Sequence, residues 1–404
     1  MSVSSLSVAQ ISSLSVTAIQ SLSTTDIQSL SGTQIAAISA TGIGALASTQ
    51  VAALSTTQVK ALTTTQIPKF ATSLAFDVTQ LQQLSTQQVQ ALTSTQLASL
   101  GTSQIGGLSA TQLGALSSAN FSVLDATQVG SLSVTQIKGV TASQVKGMTT
   151  TDIGELSGAQ VAALAPDRFA AMTATNVSAL SGTQVASLTG TQMSSLSVTQ
   201  IKGLNATDVG ELSAAQVGAL STLQLTALTP TSFSALNATQ TKALSTTQIR
   251  SVTLDQIKAL TTTDIGELAD TQVAALSAAQ VGALTGPQAA QLSTTQVGAL
   301  ATTQIAALTT TAFSALTSTQ VGALAATQVK ALTTAQLGAL TTTDIGDLGG
   351  AQVAALTTAQ VATLSATNVS ALNATQTAAL ADTQVKALTA AQLKGLSTTD
   401  IGDF

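Results

Sequence analysis

The sequence predicts an all-α fold: a solenoid of very short capped helices, one per eight-residue repeat, coiled into a continuous superhelix. Three observations predict it. An octad of the form [S/T]-x-x-Q-[V/I/L]-x-[A/G/S]-L runs through almost all of the 404 residues. Its first four positions spell a helix cap. Its two large apolar positions fall three apart, on one helical face.

The repeat comes first, because it accounts for nearly the whole chain. Eight octads run from Ser7 to Phe70 and forty-one more from Asp77 to Phe404, with no insertion in either tract. Between them Ala71 to Phe76 forms a six-residue unit that shifts the register by two. Numbered 1 to 8, the octad has Leu at position 8 in forty-two of forty-nine copies, and Gln at position 4 in thirty-five.

Two other folds answer the pattern less well. In one long helix, eight residues overshoot two turns, so the apolar stripe would rotate by about 80° per octad. In a β-solenoid, separations of five and three would send Leu and Val to opposite faces of a straight strand. Each octad would then need a corner, and the usual Gly, Asn and Asp corner residues occur only sporadically.

A capped helix uses every position. Ser or Thr with Gln three residues on is a capping box, and the Leu before the cap with the Val or Ile after Gln is a hydrophobic staple. In Leu292-Ser293-Thr294-Thr295-Gln296-Val297 all four parts are present. Such a helix is far shorter than the ~12–15 residues that stand alone in water. It must therefore stack on its neighbours as a solenoid does. The Leu and Val faces would point inward, small residues at positions 6 and 7 would allow close approach, and Thr, Ser and Gln would coat the outside.

Composition narrows the chemistry. The chain has no His, Cys, Trp or Tyr, and only 7 % of its residues are charged, against roughly 25 % in globular proteins. Disulfides, zinc–thiolate sites, Cys nucleophiles and His-based triads are excluded. Twelve Lys+Arg against seventeen Asp+Glu give a net charge of −5, with no basic face for nucleic acid. Ser, Thr or Gln interrupts each apolar stretch before the ~18 residues of a transmembrane span. The start, MSVSSLSVAQISSL, has neither a positive n-region nor a continuous apolar h-region, so no secretory signal peptide is expected.

Departures from the template are where specificity would sit. Ten of the twelve basic residues occupy position 6: Lys60, Lys138, Lys146, Lys202, Lys242, Arg250, Lys258, Lys330, Lys386 and Lys394. One shared position implies one shared direction, outward, and a solvated row that limits aggregation.

Five octads read x-x-x-D-[I/V]-G-[E/D]-[L/F] and carry the pairs Asp152/Glu155, Asp208/Glu211, Asp264/Glu267, Asp344/Asp347 and Asp400/Asp403. Lys146, Lys202, Lys258 or Lys394 stands in the octad before four of them. The first reading is a local ion pair, with Asp near a helix N-terminus. The second is a Ca²⁺ or interprotomer site, although two carboxylates fall short of the 6–8 oxygens that Ca²⁺ takes. A glycosidase-like pair is the third, with no cleft to support it. The chain is expected to need no cofactor and no catalytic residue. These octads recur every 7, 7, 10 and 7 octads, which gives 3.3–3.5 octads per turn if like octads stack.

Other departures are fewer. Phe121, Phe169, Phe233 and Phe313 take position 5, each beside a lost Gln, and predict a larger buried ring with an altered cap. All six Asn begin N-x-[S/T], a weak glycosylation signal in so Ser/Thr-rich a chain. Pro68 and the short unit break the pattern. The expected organisation is an N-terminal tract at 1–70, a register break or kink at 71–76, and a main solenoid at 77–404, together one continuous domain. The first octads are richer in Ser and suit an N-terminal cap. The end, Asp400-Ile401-Gly402-Asp403-Phe404, stops mid-pattern and leaves an apolar face for stacking or attachment.

The strings ALTTTQI, ALSTTQV and TTTDIGEL resemble octapeptide-repeat tracts of large, Thr/Ala-rich bacterial proteins described as secreted, adhesin-like or RTX-like. The resemblance covers nearly the whole chain. It implies export without an N-terminal signal, by a type I system, and a place at the cell surface. The glycine-rich nonapeptide GGxGxDxUx is absent, so calcium-driven folding of the RTX kind is not implied.

Together these features predict a non-enzymatic structural repeat protein that self-associates, as the subunit of an extracellular filament or as a surface-layer or adhesin stalk. The alternative is a Thr/Ser-rich binding surface, for glycans or, on a β-solenoid, for ice. An enzyme would need a nucleophile and base that the sequence does not assemble.

Overall fold

The computed structural model describes residues 3–404; the first two residues of the tract 1–70 lie outside them. The described residues form short helices, one for almost every octad, and no strand. The ice-binding alternative, which required a β-solenoid, loses its basis.

Octad 293–300 shows how the sequence builds the unit. Ser293 is extended (φ −68°, ψ 159°) and its hydroxyl accepts from the Gln296 amide. The Gln296 Oε1 accepts in turn from the Ser293 N–H at 2.7 Å. The helix Thr294–Ala299 follows, and Leu300, again extended, donates its N–H to the Val297 carbonyl. Two successive extended residues, the Leu and the next cap, thus turn the chain. No described residue has positive φ, which is why the repeat needs no glycine corner.

The chain divides into two compact units, the first ending at Gly203 and the second beginning at Leu204. Each is built the same way. Helices three octads apart touch, as Gly158–Ala163 meets Gly182–Ser187 in the first unit and Ala278–Gly282 meets Thr302–Ala307 in the second. Positions 5 and 8 fill the interior: at position 5 Ile35, Val59, Leu97, Val273 and Val297 have no exposed surface, and at position 8 Leu62, Leu276 and Leu300 are buried.

At some octads a small residue at position 6 or 7 has a steric cause. A Cβ at Gly139 would lie 2.1 Å from the Ala110 carbonyl oxygen, and one at Gly114 would lie 2.4 Å from that of Gly139. Backbone meets backbone there, so only glycine fits.

One expectation is overturned. Gln does not coat the outside with Ser and Thr. It turns inward, with Gln58 2 % exposed and Gln144 1 % exposed. The reason is that the amide has two ends to satisfy. Its oxygen serves the cap of its own helix, while its nitrogen donates to carbonyls one coil back. Gln58 Nε2 reaches the Ile27 and Leu30 carbonyls, both at 2.7 Å. In the second unit Gln272 reaches those of Thr241 and Leu244, both at 2.8 Å. Carbonyls left open at a helix C-terminus are thereby paired, and a buried amide is left with little unmet need. The reach to the Leu carbonyl spans 28 residues, or three and a half octads.

The unit 71–76 lies inside the first unit. Gln88 and Gln96 reach across it to the Leu62 and Phe70 carbonyls over 26 residues instead of 28. The two missing residues are removed from one coil and the amide ladder continues. Pro68 sits in the 3-10 turn Ile67–Lys69, and the Phe70 and Phe76 rings meet edge-on with centroids 5.2 Å apart.

Candidate functional site

The acidic octads are the strongest departure from the ladder. In the octads 149–156, 205–212, 261–268, 341–348 and 397–404 the position-4 Asp replaces the cap-serving half of Gln. Asp264 Oδ2 accepts from the Thr261 N–H at 2.6 Å, Asp344 from Thr341 at 2.7 Å, and Asp400 from Ser397 at 2.7 Å. Asp152 does the same with Thr149 at 2.7 Å, and Asp208 with Asn205 at 2.8 Å.

A carboxylate cannot donate, so the inter-coil link is reversed. A hydroxyl thirty residues back donates to the Asp instead. Ser234 reaches Asp264 and Ser314 reaches Asp344, each at 2.9 Å. Ser370 reaches Asp400 at 2.5 Å, and Ser122 bonds Asp152. These serines occupy position 6 of their own octads. Sequence reasoning missed them, although a Ser four octads before each of these Asp residues was a readable signal.

The two carboxylates of a pair serve different ends. Asp208 and Asp264 are 8 % exposed and Asp344 9 %, while Asp152 and Asp400 are half-buried. Of the position-7 partners, Glu155, Glu267, Asp347 and Asp403 are half-buried and Glu211 is exposed. Among the described residues no three acidic side chains are grouped to hold a metal ion.

Glu155 Oε2 is buried without a hydrogen-bond partner. Burial first, then the nearby Asp152 and Asp125, push its carboxyl above the usual range. Asp400 moves the other way: the Ser370 hydroxyl, then the Ser397 amide, hold it below the usual carboxylate range. Asp26, in the first coil, is lowered by the Ser23 hydroxyl and amide.

The ten position-6 basic residues are all exposed. Arg250 Nε lies over the chain three octads on and donates to the Ala275 carbonyl at 3.2 Å. Open depressions flank this row. One is lined by Lys330, Ala355, Thr357, Thr358 and Thr383, and another by Arg250, Ala275, Ser277, Ala278 and Thr303. The two sets are equivalent positions, ten octads apart.

The Phe octads have an altered cap, as expected of them: none keeps the full capping box, and Ala165 before Phe169 makes no side-chain cap bond. Ser117 before Phe121 has φ −62° and ψ 158°, and still accepts from the third amide. The link at position 4 changes too: it shortens to one bond at Asn120 and Ser232 and is lost at Ala312. Asn120 donates to the Leu92 carbonyl at 3.0 Å, and Ser232 to that of Leu204 at 2.8 Å. Of the sequon asparagines, Asn176 and Asn368 are buried and donate to the Met148 and Leu340 carbonyls, each at 2.8 Å.

Residues 35–72 match a family model described as the ALTTAQ repeat, in keeping with an octapeptide-repeat tract. No curated protein matches the chain.

Proposed function

We propose that this chain is a non-enzymatic structural repeat protein: the subunit of an extracellular filament, or the stalk of a surface-layer or adhesin assembly, that associates with copies of itself at the cell surface. The observation that supports this most is the amide ladder. In octad after octad one side chain closes its own helix cap and ties that helix to the coil before it. The polar chemistry of the repeat goes into holding a coil together, and among the described residues helices three octads apart touch, as in quasi-one-dimensional repeat proteins. The exposed position-6 row keeps such a surface charged and soluble.

Electron microscopy of the purified chain across a wide concentration range tests this reading. Filaments or regular sheets that grow with concentration are the expected result. Monodisperse monomers at the highest concentrations, in the presence of the native cell envelope, would overturn it.

A further inference from the structure

Three observations bear on the acidic octads: two make the octad easier to detach from the coil before it, and the third excludes a packing cause. The first is the link itself. A Gln donates to two carbonyls one coil back, as Gln328 does to those of Val297 at 3.0 Å and Leu300 at 2.7 Å. Asp264 has only the hydroxyl of Ser234, and Asp344 only that of Ser314.

The second is a glycine that nothing in the fold requires, present in all the acidic octads and in only some Gln-linked ones, such as Gly130 and Gly322. Every acidic octad has Gly at position 6. A Cβ on Gly154 or Gly346 would meet nothing within 4 Å, and one on Gly266 only the Gln291 carbonyl oxygen at 4.0 Å. Their φ values are not positive. A glycine in a helix without a steric or conformational need loosens that helix.

The third is that the ring beneath does not force the exchange of Gln for Asp. Asp152, Asp264 and Asp344 stand one coil after Phe121, Phe233 and Phe313. Yet Gln200 stands one coil after Phe169 and makes the ordinary link, to the Ala170 carbonyl at 3.1 Å and that of Met172 at 2.7 Å. Gln and Phe are compatible, so the Asp and its Ser are not a packing repair.

We propose that the octads 149–156, 261–268 and 341–348 are compliant joints, where neighbouring coils part before they do at the Gln-linked octads. Local opening in proteins is drawn from segments with fewer internal bonds. In a stalk these joints would let the coil yield at set intervals while the Gln-linked octads between them stay closed. That use rests on the structural reading above; the opening itself does not.

Hydrogen–deuterium exchange, read by mass spectrometry on the dispersed full-length chain, tests the proposal whether or not the chain assembles. Peptides covering 261–268 and 341–348 are expected to exchange roughly ten-fold faster than 245–252 and 325–332, which carry a Gln link on both sides. The variant D264Q/G266A is expected to slow 261–268 and leave 325–332 unchanged. Should that variant fail to fold, G266A alone adds one methyl into open space and is expected to slow the same peptide. Equal exchange in the unmodified chain, or no slowing in G266A, would overturn the proposal.

Discussion

Ser234 donates its hydroxyl to the Asp264 carboxylate at 2.9 Å across thirty residues of chain, and the two residues only make sense together. Asp264 cannot donate to the coil below, so the coil below must donate to it. Where the position-6 residue is Ala170, without a hydroxyl, the side chain thirty residues on is Gln200, which supplies the donor itself. Donor and acceptor have been exchanged across one joint, and the bond count has fallen.

That exchange makes a first prediction. S234A leaves the buried Asp264 carboxylate with only its cap amide and is expected to cost about 1 kcal/mol. S234A in a D264Q background is expected to cost much less, because Gln brings its own donor. A double-mutant cycle from urea unfolding measures the coupling. Equal costs in both backgrounds would show that the bond carries no energy.

The amide ladder makes the second. Q272A removes the acceptor for the Ala269 amide and the donors to the Thr241 and Leu244 carbonyls. With buried partners left unpaired, a loss of about 3 kcal/mol is expected. Q272E keeps the acceptor and loses the donors. It should be more damaging at pH 7 than at pH 4, where a protonated Glu can donate once. Thermal melts at the two pH values decide this.

The ladder also shows what the sequence could tell and where it stopped. The cap, the staple and the buried Leu are local, within eight residues, and their spacing made the helical solenoid readable from a single octad such as 293–300. Gln58 was read only by its near half. Its oxygen serves Ser55, three residues away, whereas its nitrogen serves Ile27 and Leu30, and no local pattern shows a partner 28 residues back. The same blindness hid Ser122, Ser234, Ser314 and Ser370. Each looks like one more Ser in a Ser-rich chain until the length of a coil turn is known.

Glu155 makes a third prediction, with its sign fixed by its surroundings. Burial and two neighbouring carboxylates raise its carboxyl above 4.5, so the folded state favours the protonated form. Its contribution is therefore fully present below the unfolded-state value and is lost as pH rises through the folded-state value. E155Q is expected to raise the melting temperature at pH 7 and to change it little at pH 4. A larger gain at pH 4 than at pH 7 would show that the group is stabilised as an anion.

Asp400 has the opposite sign. Its carboxyl is held low by Ser370 and the Ser397 amide, so the stabilisation it gives is present above the unfolded carboxylate value. It is lost as pH falls through the lower folded value. S370A is expected to bring that carboxyl back up, which a carbon-detected NMR titration of the Asp side chains would read directly. An unmoved Asp400 would place the cause on the cap amide alone.

Two glycines separate close packing from compliance. Gly139 has the Ala110 carbonyl oxygen 2.1 Å from where its Cβ would be, while a Cβ on Gly154 meets nothing within 4 Å. Neither has positive φ, so backbone strain does not enter and only space distinguishes them. G139A must push two coils apart and is expected to cost about 2 kcal/mol. G154A adds a helix-favouring methyl in open space and is expected to stabilise by about 0.5–1 kcal/mol. Because repeat arrays need not unfold in one step, both are best read by exchange in their own octads beside the global melt. A G154A that destabilised octad 149–156 would mean that the glycine meets a packing need after all.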